Sequence, residues 1–201
     1  MSARENISND QQQNDLGTET TNSKLNEWKT FEDSSAGISF LYPSDYYLYN
    51  TSISATLFLD LYKFFSINYF PFHKLSPENI TLVNKNLGFK IPNNGSFDSY
   101  SINQYALSCI DSTLKNNSNF LLVENITTDK WKVDQQNATS YMISIPEYLD
   151  SDYIRTENIL FTNPQKDRLY SATFSAPSSQ FDTLELKALE KRLIDSIKIS
   201  R

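Results

Sequence analysis

A chain of 201 residues is one domain, or one domain with a tail, and at 39% hydrophobic it can bury a sizeable core. With 18 Lys+Arg against 24 Asp+Glu the net charge is −6, which excludes the dense basic patch that nucleic acid or an anionic membrane surface requires. One His, one Cys and four Gly exclude Cys/His metal sites, an internal disulfide, and Walker or Rossmann phosphate loops.

Residues 1–24 carry almost no large apolar side chains, cannot offset their ordering entropy, and read as a disordered tail or tether. The domain spans 25–201. Its first strand is Trp28 to Phe31, followed by a turn over Glu32 to Gly37. Ile38, Phe40 and Tyr42 then alternate with Ser39 and Leu41 until Pro43-Ser44-Asp45 supplies a turn. Tyr46 to Asn50, Ile53 to Asp60 and Tyr62 to Phe70 are β-branched and aromatic, as strands prefer. Ser76-Pro77-Glu78 opens a helix that runs to about Asn86.

Ile102, Tyr105, Ala106, Cys109, Ile110 and Thr113 recur at helical spacing and give a second helix with one apolar face. Period two returns in Phe120 to Asn125, Ser140 to Pro146, Tyr153 to Phe161 and Leu169 to Ala176. The last three form an antiparallel meander through tight turns at Asp150-Ser151-Asp152 and Asn163 to Asp167. A final helix, capped by Ser178 or Ser179, repeats Leu186, Leu189, Leu193 and Ile197, with Lys187, Lys191 and Arg192 on its solvated side. Strands between helices predict an α+β sandwich, a mostly antiparallel sheet covered by helices.

The segment Gly37-Ile-Ser-Phe-Leu-Tyr-Pro-Ser-Asp-Tyr46 resembles the GhxhxYPxxW opening of the PsbP-like family, with Tyr46 where relatives carry Trp. Arg168 to Pro177, followed by a helix and Ile194 to Ile199, resembles that family's closing strand and helix. The resemblance implies an α/β/α sandwich around a mostly antiparallel sheet. Founding members are extrinsic subunits on the lumenal side of photosystem II; others are exported proteins of non-photosynthetic bacteria and archaea, and a yeast Ran-binding protein shares the fold. Their ion-retaining residues have no motif counterpart here. The chain looks most like an exported, non-photosynthetic member, of the archaeal kind. Fold alone does not assign function.

Candidate chemistry is sparse. His73, the only imidazole, would have to serve any Ser-His-Asp or Cys-His site, yet no Gly-x-Ser-x-Gly elbow accompanies it, and it reads as a surface residue at a strand end. Cys109 falls on the apolar helix face and reads as a small buried hydrophobe. Glu147, Asp150, Asp152 and Glu157 form the densest carboxylate group and read as solvated acids at a hairpin tip. Asp150-x-Asp152 also matches the first two ligands of a calcium loop, although the sixth position is Arg155 and the twelfth Phe161. Tyr42, Tyr46, Tyr47, Tyr49, Tyr62 and Tyr69 crowd one third of the chain; they read as core packing, or, at Tyr46, Tyr47, Tyr49 and Tyr62, as an aromatic interface.

Asn-x-Ser/Thr occurs at Asn6, Asn50, Asn79, Asn94, Asn116, Asn125 and Asn137, a modest case for an extracellular or cell-surface glycoprotein. Export would need a signal absent from this chain; otherwise the protein is cytoplasmic. No run of about 18 apolar residues predicts a membrane span. The leading reading is a non-catalytic module, without cofactor, that binds or assembles with a protein partner at the cell surface. The alternatives are a carboxylate-based hydrolase using Glu147, Asp150 or Asp152, a weak calcium-binding protein, and a cytoplasmic adaptor of the Ran-binding type.

Overall fold

The computed structural model describes residues 27–60, 63–70, 78, 97–116, 122–123, 126–146 and 153–200. In chain order it runs β1 (Trp28–Asp33), β2 (Ile38–Pro43), β3 (Tyr47–Asn50), β4 (Ser54–Phe58), β5 (Phe64–Phe70) and α1 (Ser99–Asn116). There follow β6 (Leu122–Val123), β7 (Thr127–Val133), β8 (Gln136–Pro146), β9 (Tyr153–Thr162) and β10 (Leu169–Pro177). A single helical turn α2 (Ser178–Phe181), the helix α3 (Leu184–Ser196) and β11 (Lys198–Ile199) complete it.

The larger sheet has the order β3-β4-β5-β10-β9-β8-β6, with β7 paired to the start of β8; every pairing is antiparallel. A second antiparallel sheet has the order β1-β2-β11. Alternation sorts β10 by face. Tyr170, Ala172, Phe174 and Ala176 point into a core shared with Phe40 of β2, Phe181 of α2, Leu193 and Ile194 of α3 and Ile199 of β11. Leu169, on the opposite face, joins Tyr141, Ile143 and Leu160 beneath Ile102, Tyr105, Ala106 and Ile110 of α1.

The fold is therefore α+β, as the sequence predicts, with α1 on one face of the large sheet. The opposite cover is only partly helical: the small sheet and α3 share it. Edge-to-face contact of Phe40 with Phe65 (5.7 Å) and of Phe174 with Phe181 (6.0 Å) closes that layer. Burying each such ring contributes about 1.5–3 kcal/mol.

Two local expectations need correction. The final helix does not start at a Ser178 or Ser179 cap; the chain breaks after Phe181, and α3 restarts behind Thr183, whose hydroxyl accepts from Leu186 N–H at 3.5 Å. Strand β7 and the first residues of β8 were absent from the expected elements. Their hairpin turns on Asp134 and Gln135 at φ 46° and 70°, a primed geometry that usually advertises itself with Asn-Gly or Asp-Gly. Of the expected 77–86 helix only Glu78, which is helical, is among the described residues, and the 1–24 tail lies outside them.

The turn between β1 and β2 joins the two sheets. Asp33 Oδ1 accepts from Ser35 N–H (2.8 Å), the Ser35 hydroxyl (2.6 Å) and Ala36 N–H (3.0 Å). Gly37 follows at φ +68°, donating to the Asp33 carbonyl at 2.8 Å and accepting from Ser200 N–H at 2.9 Å. A β-carbon on Gly37 would stand 2.8 Å from Ser200 Oγ and 2.9 Å from Arg168 Nη1. Gly37→Ala is expected to cost about 1–3 kcal/mol through its left-handed backbone and this crowding. Thermal unfolding should register a fall in Tm of roughly 3–8 °C.

Candidate functional site

Strand β3 is an outer edge of the large sheet among the described residues, and its sequence Tyr-Leu-Tyr-Asn has none of the Lys or Pro that usually protects such an edge. Leu48 packs inward against the first core. Tyr47 and Tyr49 stand on the opposite face, 67% and 52% exposed. Register pairs Tyr47 with Phe58, also exposed, and the two rings stack at 6.3 Å. Ile53, in the connecting turn, is exposed too.

The bond from Thr51 N–H to the Ser54 carbonyl (2.7 Å) sets the hydrogen-bonding parity of this hairpin. Tyr47–Phe58 and Tyr49–Thr56 are then the hydrogen-bonded pairs, so the amides of Leu48 and Asn50 face away from β4. Tyrosines at an edge supply contact area with little conformational freedom to lose and a hydroxyl for water or a partner.

The predicted aromatic residues thus separate. Tyr47 and Tyr49 form the exposed edge, whereas Tyr46 packs against the first core. Burial, then the nearby Asp45 and Glu185 carboxylates, pushes the Tyr46 hydroxyl above its usual range. Phe58 belongs to the same surface but was not singled out by sequence, since period-two alternation on a hairpin does not say which face lacks a cover. Tyr62 lies outside the described residues, as do His73, Glu147, Asp150 and Asp152.

Of the sequon asparagines, Asn50 and Asn137 are exposed on β3 and β8, and Asn116 closes α1. Asn6, Asn79, Asn94 and Asn125 are outside the described residues. Cys109 is half-buried on α1. Burial raises its thiol more than hydrogen bonding with Tyr105, Tyr141 and Ser108 lowers it, which disfavours the nucleophilic thiolate.

Glu157 does not belong with the solvated hairpin acids. It points from β9 into the layer between the large sheet and α3 and is 1% exposed. Its Oε1 accepts from Lys130 Nζ at 2.5 Å and from Trp131 Nε1 at 2.7 Å. Lys187, expected on the solvated side of the last helix, turns inward, with its ammonium 2.9 Å from Glu190 Oε2, 3.8 Å from Glu157 Oε2 and 3.9 Å from the Phe181 ring centroid. The stripe of leucines conceals this because Glu190 follows Leu186 by four residues and so shares its inward face. Glu157 and Glu190 are a pair of carboxylates brought together, but sealed in a packed layer rather than flanking a cleft.

A groove of about 260 Å³ lies across the small sheet, lined by Glu32, Asp33, Ser34, Ile38, Ser39, Lys198, Ile199 and Ser200. At its rim Asp33 Oδ2 accepts from the Tyr69 hydroxyl at 2.6 Å, with the Thr51 carbonyl 3.1 Å from the same hydroxyl. Burial works against the Asp33 charge, but the bonds from Ser35, Tyr69 and Ala36 together outweigh it and hold this carboxyl down at about 2. A lowered carboxyl stabilises the fold above its ordinary value of 3.8, and that contribution disappears as pH falls through about 2. Asp33→Asn is expected to lose about 1–3 kcal/mol at pH 7 and to show a shallower acid limb between pH 4 and 2, read by urea unfolding at each pH.

No family model matches the chain, and no curated protein matches it. Several solved structures are similar to it. The cyanobacterial PsbP (CyanoP) of Synechocystis sp. PCC 6803 is 14% identical, over 92% of this chain and 98% of that one, with a TM-score of 0.48. The Ran-binding protein Mog1p of Saccharomyces cerevisiae is 9% identical, over 86% and 95%, with a TM-score of 0.49. A protein of Bacteroides thetaiotaomicron is 13% identical over 86% of this chain, with a TM-score of 0.47, and the chain spans about half of its length, 48%.

Proposed function

We propose that this chain is a non-catalytic binding module that meets a protein partner through the β3–β4 edge. The observation that carries the reading is the exposed set Tyr47, Tyr49 and Phe58 on one face of a hairpin whose outward amides at Leu48 and Asn50 have no strand beside them among the described residues. An edge of this kind can add a strand from a partner, with main-chain bonds giving affinity and side chains giving selectivity. The two stacked rings offer the aromatic centre that such interfaces favour.

The same reading sets the module outside the cell, at its surface, supported by the sequons, two of which the fold leaves exposed at Asn50 and Asn137. A glycan on Asn50 would occupy the very edge proposed for binding, so the two ideas compete at one residue. Glycopeptide mass spectrometry of the native protein should find Asn137 modified and Asn50 bare. Modification of Asn50 in the bulk of the protein would remove β3 as the docking edge. A native protein without glycans, captured with a GTPase, would move the same surface to an adaptor role inside the cell.

The direct test compares tagged wild type with the Tyr47→Ser/Tyr49→Ser/Phe58→Ser variant in affinity purification from the native organism. Partners recovered with wild type should fall at least tenfold with the variant while Tm stays within about 3 °C, as exposed side chains contribute little to folding. Equal recovery of the same partners with both proteins would overturn the proposed surface.

A further inference from the structure

The largest departure from an apolar core is the cluster between β9, β7 and α3. Glu157 and Glu190 are 1% and 0% exposed, and each keeps one buried oxygen without a hydrogen-bond donor, Oε2 of Glu157 and Oε1 of Glu190. Lys187 is the cation the two share, its ammonium 3.8 Å from Glu157 Oε2 and 2.9 Å from Glu190 Oε2, while Lys130 bonds only to Oε1 of Glu157. Such orphaned acceptors are expensive in a dry layer, and a shared cation leaves the pair short of donors.

The groups around the pair come from every packed element. From β7 come Lys130 and the indole N–H of Trp131, both taken by Glu157 Oε1. From β9, Arg155 turns to Asp182 after α2 and to Met142 Sδ. In register with Glu157, β8 and β10 supply Met142 and Phe174, which bring no charge. Among the described residues no further donor reaches the two orphaned oxygens, and a proton on a carboxylate would supply one.

We infer that Glu157, Lys187 and Glu190 form a proton-binding latch, which holds one proton while α3 is docked on the sheet and weakens that docking when the proton leaves. The chemistry is a simple ionisation of the Glu190 carboxyl, with the proton passing to solvent and the anion staying between Lys187 and Glu157. Burial first, then the neighbouring Glu157 charge, pushes the Glu190 carboxyl from 4.5 up to about 7, against the opposing pull of Lys187 and Lys130. A raised carboxyl means that the folded state binds more protons than the unfolded state between these two values. Stability is therefore fully present below about pH 4.5, falls as pH rises through about 7, and stays low above it.

The test is a series of thermal melts of the full chain from pH 5 to pH 8.5, with Glu190→Gln alongside. Wild type should lose roughly 5–10 °C of Tm over this range, and the isosteric amide should lose less than half of that. The readout is the difference between the two proteins, in which the titration of every other group cancels. If Glu190→Gln does not fold, carbon-13 NMR titration of the wild-type Glu190 carboxyl decides. A midpoint near 7 supports the latch, and a midpoint near 4.5 overturns it, as would parallel melts. Amide exchange at pH 8, expressed against Glu190→Gln at the same pH, should be faster in α3 and unchanged in α1; equal exchange in α3 would refute the coupling to docking.

Discussion

The carbonyl of Ala36 ties the molecule together. It accepts the hydroxyl of Tyr170, from β10 at the centre of the large sheet, at 2.8 Å, and Nη1 of Arg168, just before that strand, at 3.0 Å. The turn that offers this carbonyl is held by Asp33, which also receives the Tyr69 hydroxyl from β5. Gly37 lets the chain pass the crowded point beside Arg168 and Ser200 without a side chain. Three strands of the small sheet are thereby docked on two strands of the large one, and the aromatic layer of Phe40, Phe65, Tyr170 and Phe174 exists because these two sheets are kept face to face. Losing Tyr170 or Arg168 would leave the Ala36 carbonyl with one donor in place of two and cut a tie between the sheets, which is why so few contacts fix the whole arrangement.

Strand existence was legible from sequence, because period-two alternation is strong in β2, β5, β9 and β10, and the meander β8–β9–β10 follows from its turns. What could not be read was which elements cover which face. The small sheet is assembled from β1 and β2 near one end of the sequence and β11 near the other, and no local pattern announces that pairing. Tyr46 and Tyr47 are neighbours in sequence with opposite fates, and only the register of β3 against β4 separates them. Glu157 looked like one more acid near a polar turn. Its burial depends on Trp131 and Lys130 from a strand whose turn carries neither Gly nor Asn at its centre.

The chain is rich in Asn and Ser, and this polarity is not all on its surface. Part of it is exposed, as Asn50 and Asn137 are, but much of it is internal. Ser140, Ser144, Ser171 and Ser175 are buried in the large sheet. Across neighbouring strands Thr156 bonds to Ser175 at 3.1 Å, Thr173 to Asn158 at 3.1 Å and Thr127 to Ser140 at 2.9 Å, while Thr139 reaches Asn103 of α1 at 3.1 Å. Such cross-strand pairs add specificity of register to a sheet whose aromatic face would tolerate slippage. Composition alone could not distinguish a polar coat from a polar seam.

The pairing of β11 with β2 joins Ile199 to Ile38 across most of the sequence. During synthesis, Phe31, Ile38 and Phe40 emerge well before the helix and strand that complete their layer. Contacts of such long sequence separation are slow to form, so the small sheet cannot close co-translationally until residue 199 has left the ribosome. Until then a nascent chain presents an aromatic half-layer to the cell, which makes this domain a natural client for chaperones that bind extended hydrophobic segments.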